Sequence, residues 1–120
     1  MSNIVQKHGE FSWCELMTTN TEAAKTFYSQ LLGWTLEDMS MEGTQYTTIS
    51  ADGREIGGMM SVSAPGVQGN PPPHWGVYVT VEDVDASVQK AEELGATVLL
   101  SPQNIPDVGR FSIIQDPQGA

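Results

Sequence analysis

Two stretches of the chain alternate between apolar and polar residues with the period of a β-strand. They cover residues 10–18 and 74–81, and a period of two places successive side chains on opposite faces of a sheet. The apolar side of the second stretch, which we expect to be buried, consists of Trp75, Val77, Val79 and Val81. The sequence therefore predicts one strand in each stretch.

Each predicted strand leads through a polar segment into a stretch with helical periodicity. Apolar residues recur at intervals of three and four over about 21–32 and 84–94, which is the spacing of one helix face. Asn20 or Thr21 is the expected N-cap of the first helix, because its side-chain oxygen can accept a hydrogen bond from a free first-turn amide. The pattern thus predicts two strand–helix units.

The two units are related by an internal repeat. Trp13 and Trp75 lie 62 residues apart, and so do Gly33 and Gly95, the glycines that follow the two helices. Glycine is common there because a helix often ends at a left-handed residue. A constant offset between equivalent positions indicates a duplicated module.

Short apolar runs separated by turn residues follow each helix. In the first half the turns at Gly43 and Asp52-Gly53 are tight, so an antiparallel meander of three strands is expected. The predicted strands after the helices cover 34–39, 46–50 and 56–62, then 97–100 and 109–115. The predicted fold class is therefore α+β, with two βαβββ modules, the last strand of the second being missing from the sequence.

The repeat also divides the chain into segments. Residues 1–9 are a predicted tail, residues 10–62 the first module, and residues 74–120 the second, incomplete module. Between the modules, residues 63–73 are rich in proline and glycine, and their prolines favour an extended, semi-rigid linker. The length of 120 residues suits one domain made of two such halves.

Charge and cysteine content exclude several classes of function. The chain has 15 acidic and 5 basic side chains and a net charge of −10, so it lacks the basic surface that nucleic acids and anionic membranes require. No apolar run reaches the roughly 20 residues that span a bilayer. Cys14 is the only cysteine, which fits a cytoplasmic location, and we expect it to be an inert core thiol on the helix-facing side of its strand.

Three motifs carry a resemblance to a known family. In order they are AKTFYSQLLGW at 24–34, VEDVDA at 81–86 with ELGA at 93–96, and GRFSIIQDPQGA at 109–120. Together, at this spacing and on a duplicated chain, they resemble the vicinal-oxygen-chelate superfamily, which includes glyoxalase I, bleomycin-resistance proteins and extradiol dioxygenases. The resemblance covers residues 10–120.

The resemblance implies a fold in which the sheets of two βαβββ modules form a cleft with the helices outside. In catalytic members a divalent metal in this cleft chelates two substrate oxygens and acts as a Lewis acid. Its His, Gln or Glu ligands come from the first and last strands of each module. The matching positions here are Trp13, the strand 56–62, Gly76 (or Trp75) and a strand beyond Ala120. None of the residues present is a usual ligand for a hard divalent ion, so no metal cofactor is predicted.

Two titratable residues remain as candidate catalytic groups. Glu15 follows Trp13 by two positions and His74 precedes Gly76 by two, so each shares the cleft-facing side of its strand. A buried Glu15 has a raised pKa and can serve as a general base. The alternatives are a rim carboxylate that hydrogen-bonds without metal, a two-point Glu15/His74 metal site, and a His74 that is solvated or bonded to a loop carbonyl.

Bulky side chains on the same side of these strands are the candidate ligand-binding residues. They are Phe11, Trp13, Met17, Tyr78 and one of Met59 and Met60, with Met59 taken as the ligand-binding one. An aromatic face with a polar tip suits a flat, partly apolar molecule. The alternative is that these side chains simply fill the cleft. Trp34 and Trp75 are assigned to packing.

The resulting functional hypothesis is a glyoxalase-like protein that binds a small, partly apolar molecule without the usual metal. The alternatives are a metal-dependent lyase or dioxygenase with an unusual site, and a drug-sequestering protein similar to bleomycin-resistance proteins. Bound Zn, Ni, Mn or Fe would favour the metal-dependent enzyme, and tight binding without turnover would favour sequestration. We expect a homodimer, since this fold commonly pairs and an unpaired strand edge favours a partner.

Overall fold

The structure is a computed structural model that describes residues 7–41, 44–64, 67, 71–105 and 109–120. In chain order its helices and strands are β1 (Phe11–Thr18), α1 (Thr21–Leu32), β2 (Thr35–Met41), β3 (Thr44–Ala51), β4 (Arg54–Ser61), β5 (His74–Val79), α2 (Val84–Glu93), β6 (Thr97–Ile105) and β7 (Gly109–Gln115). This order confirms the predicted α+β class and the sequence of elements in both halves.

The chain divides into two compact units, residues 1–80 and 81–120. The first unit contains a five-stranded sheet in the order β2-β3-β4-β1-β5. Strand β1 runs parallel to β4 and antiparallel to β5, so the first strand of the second predicted module extends the sheet of the first. The boundaries of the predicted modules themselves stay a prediction.

The meander β2–β3–β4 is antiparallel, as the short turns predicted. Between β3 and β4 the chain reverses through Asp52-Gly53, whose φ angles are 50° and 78°. Two successive positive φ angles are typical of the turn type that matches the twist of a two-residue hairpin, and Asp-Gly is a preferred sequence for it. The other predicted turn residue, Gly43, lies outside the described residues, as does part of the 63–73 linker.

Helix α1 has the predicted ends. The Asn20 side chain accepts from the Ala23 amide at 2.9 Å, which satisfies one of the first-turn donors, and Gly33 ends the helix with φ 70°. Lys25 contacts Asp38 of β2, which accepts at 2.8 Å from the hydroxyl of Thr47. These polar contacts fix the helix over the strands and hold the pKa of Asp38 below its usual range.

The core of the first unit lies between α1 and the sheet. Its buried apolar side chains are Leu16, Ile49 and Met59, at 6%, 1% and 0% exposure. Further partly buried residues pack against this cluster from α1, from the connection to β2, and from β2 and β4: Ala24, Tyr28, Trp34, Leu36 and Ile56. Because Leu16 faces this core, the period of two directs its neighbours Glu15 and Met17 to the opposite face of β1.

The expectation that Trp75, Val77 and Val79 form a buried strand face was wrong. Their exposures are 43%, 62% and 44%, because they lie on the end strand β5 of the sheet. Trp75 packs against Tyr28 and Trp34, with ring centroids 5.6 and 6.0 Å apart, and its indole N–H donates to the Tyr28 hydroxyl at 3.2 Å. The assignment of Trp34 and Trp75 to packing is therefore confirmed.

Other apolar positions are also more exposed than the pattern indicated. The predicted apolar stripe of α1 contacts the core through Ala24 and Tyr28, whereas its members Phe27 and Leu31 are 57% and 60% exposed. Cys14 was expected to be a core thiol, but it is exposed. No helix within the described residues is long and apolar enough to cross a membrane.

The second unit consists of α2 and the antiparallel pair β6–β7. Asp83 caps α2 by accepting from the Ala86 amide at 3.0 Å. At the other end Gly95 has φ 101°, and the Ala96 amide donates back to the Ala91 carbonyl at 2.9 Å, which is the helix-terminating geometry that the repeated glycine predicted. These bonds define both ends of the helix.

An ion pair joins the helix and hairpin of the second unit. Arg110 of β7 donates to both oxygens of Asp85 at 2.7 and 2.8 Å and to Asn104 at 3.0 Å. A planar guanidinium suits this two-point contact with a carboxylate. The pair connects two of the sequence motifs, VEDVDA and GRF, and lowers the pKa of Asp85.

Candidate functional site

Glu15 lies between two glycines on the sheet face opposite the core. In the strand register its neighbours are Gly58 of β4 and Gly76 of β5. Neither glycine carries a side chain, so the two neighbouring positions themselves cover neither side of the Glu15 carboxyl group. We refer to the positions of Gly58, Glu15 and Gly76 as the recess, because the two glycines place no side chain of their own beside this carboxyl group.

The space over Gly58 is occupied by the side chain of Tyr46. A Cβ atom added at Gly58 would overlap the Tyr46 hydroxyl and ring, which shows that the tyrosine lies directly over the glycine. The space at Gly76 differs, since among the described residues a Cβ there would meet only the Glu15 backbone oxygen, at 3.9 Å. The two sides of Glu15 are thus unequal, one filled by a phenol and the other with room for a side chain.

Trp13, Tyr46 and Glu15 form a continuous hydrogen-bonded chain. The indole N–H of Trp13 donates to the Tyr46 hydroxyl at 2.9 Å, and that hydroxyl donates to Glu15 Oε2 at 2.7 Å. All three groups are partly buried. Since Trp13 supplies a donor to the phenol oxygen, the phenol proton is directed to the carboxylate.

The electrostatics of this face favour protonated groups. Burial raises the pKa of Glu15, and the Tyr46 hydrogen bond and the nearby His74 oppose this rise. Burial and the Glu15 charge also raise the pKa of Tyr46 and of Tyr78. Both phenols therefore keep their protons at neutral pH and act as hydrogen-bond donors.

His74 is the first residue of β5 and lies opposite Met17 in the register. This pair is two residues along the strands from the pair Glu15–Gly76, and it therefore lies on the same face of the sheet. Its Nδ1 lies 2.7 Å from the carbonyl oxygen of Pro72, as in one of the interpretations left open by the sequence. Because a carbonyl only accepts, Nδ1 carries the proton, which leaves Nε2 as an acceptor in the neutral ring. His74 is exposed, and when its ring is protonated its charge lowers the pKa of Glu15.

Three other predicted residues share this face of the sheet. Trp13 pairs with Tyr78, and Met17 with His74, so the alternation of β1 and β5 brings Trp13, Met17 and Tyr78 to the side on which Glu15 lies. All three are partly buried. Their role in ligand binding stays a prediction.

Two predicted ligand-binding residues lie elsewhere. Phe11 is 76% exposed, and a register shift between Phe11 and Trp13 pairs it with Val79 rather than with a residue of the Tyr78 face. A bulge of this kind adds one residue to the strand and reverses the alternation. Met59 pairs with Leu16 and is fully buried in the core. Of the two candidate methionines on β4, Met60 is therefore the one that shares the face of Glu15.

Sequence reasoning missed Tyr46 as a site residue. It lies 31 positions from Glu15 on a strand that carries no motif, and only the pairing of β3 with β4 brings it over Gly58. The available signal was the glycine pair Gly57-Gly58 inside a predicted strand, which often marks the close approach of another group. At Gly57 that group is the Cys14 backbone oxygen, 2.5 Å from where a Cβ would lie.

The residues on this face do not fit a divalent metal site. Of the positions that would supply ligands, β1 has Trp13, β4 has Gly58 and Met60, and β5 has Gly76. No group of three His, Cys, Asp or Glu side chains suited to a metal occurs within the described residues. Glu15 and His74 alone offer fewer ligands than the three or more that protein metal sites normally use.

Comparison with known proteins gives a consistent result. Residues 10–120 match the family model described as the glyoxalase/bleomycin resistance protein/dioxygenase superfamily. A protein of Mycobacterium tuberculosis named "Putative glyoxylase CFP32" is 39% identical over 120 residues, which cover 99% of this chain and 44% of that protein. The "Anthracycline biosynthesis protein DnrV" of Streptomyces peucetius is 30% identical over 123 residues, covering 93% of this chain and 45% of that protein. The chain therefore spans less than half the length of these relatives.

Proposed function

Because this chain belongs to the glyoxalase/bleomycin resistance protein/dioxygenase superfamily, we propose that it binds a small, uncharged and partly apolar molecule on the sheet face around Glu15. The single observation that supports this most directly is the recess formed by Gly58, Glu15 and Gly76, closed on one side by Tyr46. An acidic group with space beside it and aromatic neighbours has the composition of a small-molecule site.

The chemistry of the recess defines the class of ligand. Trp13, Tyr78 and the methionines supply apolar and aromatic surface, which suits a planar molecule. Because Glu15 Oε2 accepts from Tyr46, Oε1 is the carboxyl oxygen left to accept from a ligand when Glu15 is ionised, and a protonated Glu15 has one O–H donor. The net charge of −10 disfavours anions near this surface. A neutral polycyclic compound with a hydroxyl group satisfies all of these requirements.

The name of the Streptomyces relative suggests a probe. An anthracycline aglycone is planar, polycyclic and hydroxylated, and it absorbs in the visible range, so binding is measured by quenching of tryptophan fluorescence and by a rise in the thermal midpoint. A ligand that binds only the folded state must raise its stability, by RT ln(1 + [L]/Kd). We expect the wild-type protein to respond in both assays.

Matched variants test whether the response arises at this face. Tyr78→Ala and Val77→Ala alter adjacent residues of β5 whose side chains lie on opposite faces of the sheet. We expect Tyr78→Ala to weaken binding at least tenfold and Val77→Ala to leave it unchanged. Equal effects of the two variants, or no binding by the wild type to any of a panel of neutral planar hydroxyquinones, would contradict the proposal.

The same experiment separates an enzyme from a binding protein. If the probe is recovered unchanged by chromatography after saturating incubation, the protein sequesters its ligand, as the drug-binding hypothesis requires. If it is converted and Glu15→Gln abolishes conversion, Glu15 acts as the general base. Metal analysis of the purified protein addresses the metal-dependent alternative, which the donor set within the described residues does not favour.

Self-association is part of the proposal. Within the part of the chain that the structure describes, β5 is an end strand of the five-stranded sheet, and β6 and β7 form a two-stranded sheet. Such strand edges favour pairing with a second chain. We propose a homodimer in a reducing, cytoplasmic setting, for which the lone Cys14 is suited. A monomeric mass in light scattering at micromolar concentration would contradict the dimer.

A further inference from the structure

We infer that Tyr46 is a positioning residue for Glu15, and that Gly58 is required because its missing side chain provides the space in which the Tyr46 hydroxyl lies. The inference rests on the proposed function only in treating this face as a ligand site. Its test uses the protein without ligand, so failure of the test and failure of the proposed function are distinguishable.

The first argument is steric. Tyr46 and Glu15 belong to β3 and β1, which are separated by β4. To reach Glu15, the Tyr46 side chain must cross β4, and it does so over Gly58, where a Cβ would overlap its hydroxyl and ring. Any other residue at position 58 would therefore displace the phenol. The displaced atoms belong to the end of a side chain and not to the backbone, so the strand itself need not move.

The second argument is the direction of the hydrogen bonds. Trp13 donates to the Tyr46 oxygen and Tyr46 donates to Glu15 Oε2. The phenol thus has both an acceptor and a donor bond, which fix its orientation, and it engages one of the two carboxylate oxygens. Tyr46 therefore holds the carboxyl group from the Gly58 side and leaves Oε1 and the space at Gly76 for a ligand.

The third argument is that few other groups act on this carboxyl group. Among the described residues, the titratable side chains that interact electrostatically with Glu15 are Tyr46 from β3 and His74 and Tyr78 from β5. The residue next to it on β4 is Gly58, which has no side chain. Tyr46 is the described side chain that donates a hydrogen bond to Glu15, so its removal should be visible in the titration of Glu15.

The test is an NMR titration of the Glu15 side-chain carboxyl carbon in protein labelled at glutamate, with the signal assigned by its loss in Glu15→Gln. We expect Tyr46→Phe, which keeps the ring and removes the donor, to shift the pKa of Glu15 upward. Gly58→Ala should also change the titration of Glu15, because it displaces Tyr46. Gly76→Ala is the matched control, because a Cβ at that glycine has room, and it should leave Tyr46 in place and the titration unchanged.

A double variant keeps the inference testable if Gly58→Ala folds poorly. In Tyr46→Ala the ring is absent, so adding Gly58→Ala should not lower the thermal midpoint further, whereas in the wild-type background it should lower it. Equal losses in the two backgrounds would show that Gly58 is needed for another reason. An unchanged Glu15 titration in Tyr46→Phe would overturn the positioning role itself.

Discussion

Replacing Glu15 with glutamine should change how the stability of the protein depends on pH. In the unfolded chain the pKa of a glutamate is about 4.3, and burial raises the pKa of Glu15 in the folded protein. The folded state therefore keeps this proton to a higher pH than the unfolded state does. The stability contributed by the protonated group is fully present below the unfolded pKa and is lost as the pH rises through the folded pKa.

The magnitude follows from proton linkage. Between the two pKa values the folded state binds up to one more proton than the unfolded state, so this group lowers the free energy of unfolding by at most about 1.4 kcal/mol per pH unit. Glutamine does not titrate, and its amide oxygen can still accept from Tyr46. Relative to wild type, Glu15→Gln should therefore gain stability as the pH rises from about 4.3 towards neutrality.

The assay is urea unfolding followed by circular dichroism at half-unit steps from acid to neutral pH. Glu93→Gln, on the surface of α2, removes the same charge and controls for the change in net charge. We expect the difference between Glu15→Gln and wild type to vary with pH more steeply than the difference for the control. Parallel stability curves for wild type and Glu15→Gln would refute the claim that folding perturbs this carboxyl group.

Further substitutions probe the core, the helix cap and the recess. Met59→Ala, in the fully buried core, should cost about 2–5 kcal/mol in urea unfolding, whereas Phe11→Ala at 76% exposure should stay within about 0.5 kcal/mol. Similar costs would contradict the assignment of Met59 to the core and of Phe11 to the surface. Asn20→Ala removes the cap of α1 and should lower the free energy of unfolding by roughly 0.5–2 kcal/mol. If Asn20→Ser keeps the wild-type stability and Asn20→Val does not, capping is the cause of the loss. Gly76→Leu should fill the open side of Glu15 and weaken binding of the anthracycline probe at least tenfold. The thermal midpoint of the ligand-free protein should change little. An unchanged affinity would mean that the ligand binds elsewhere.

Local patterns in the sequence determined the elements of this protein. The alternation around Trp13 and the helical spacing that follows it predicted β1 and α1, and the Asp52-Gly53 pair predicted the hairpin turn. The repeated glycine predicted both helix ends. These features depend on backbone geometry within a few residues, so they can be inferred without knowledge of the tertiary contacts.

The alternation of side chains along β1 also predicted the side on which Glu15 lies. It gave the wrong face for Phe11, because the strand register changes between Phe11 and Trp13. The bulge after Phe11 moves that residue off the face, and nothing in its local sequence marks the bulge. For Met59 and Met60 the pattern allowed either face, and the parallel pairing with β1 selected Met60. The exposure of Trp75 and Val77 followed from their being on an end strand, which depends on strand order.

The contact between Tyr46 and Glu15 was decided by the tertiary structure alone. Tyr46 reaches Glu15 across 31 residues of sequence and over Gly58, and this requires the order β3-β4-β1 and one particular register of each pair. Strand order and register are set by burial of the whole sheet face, since a slip of one residue would turn every side chain over. The sequence therefore determined which residue types were available, and only the packing of non-neighbouring strands decided which of them meet.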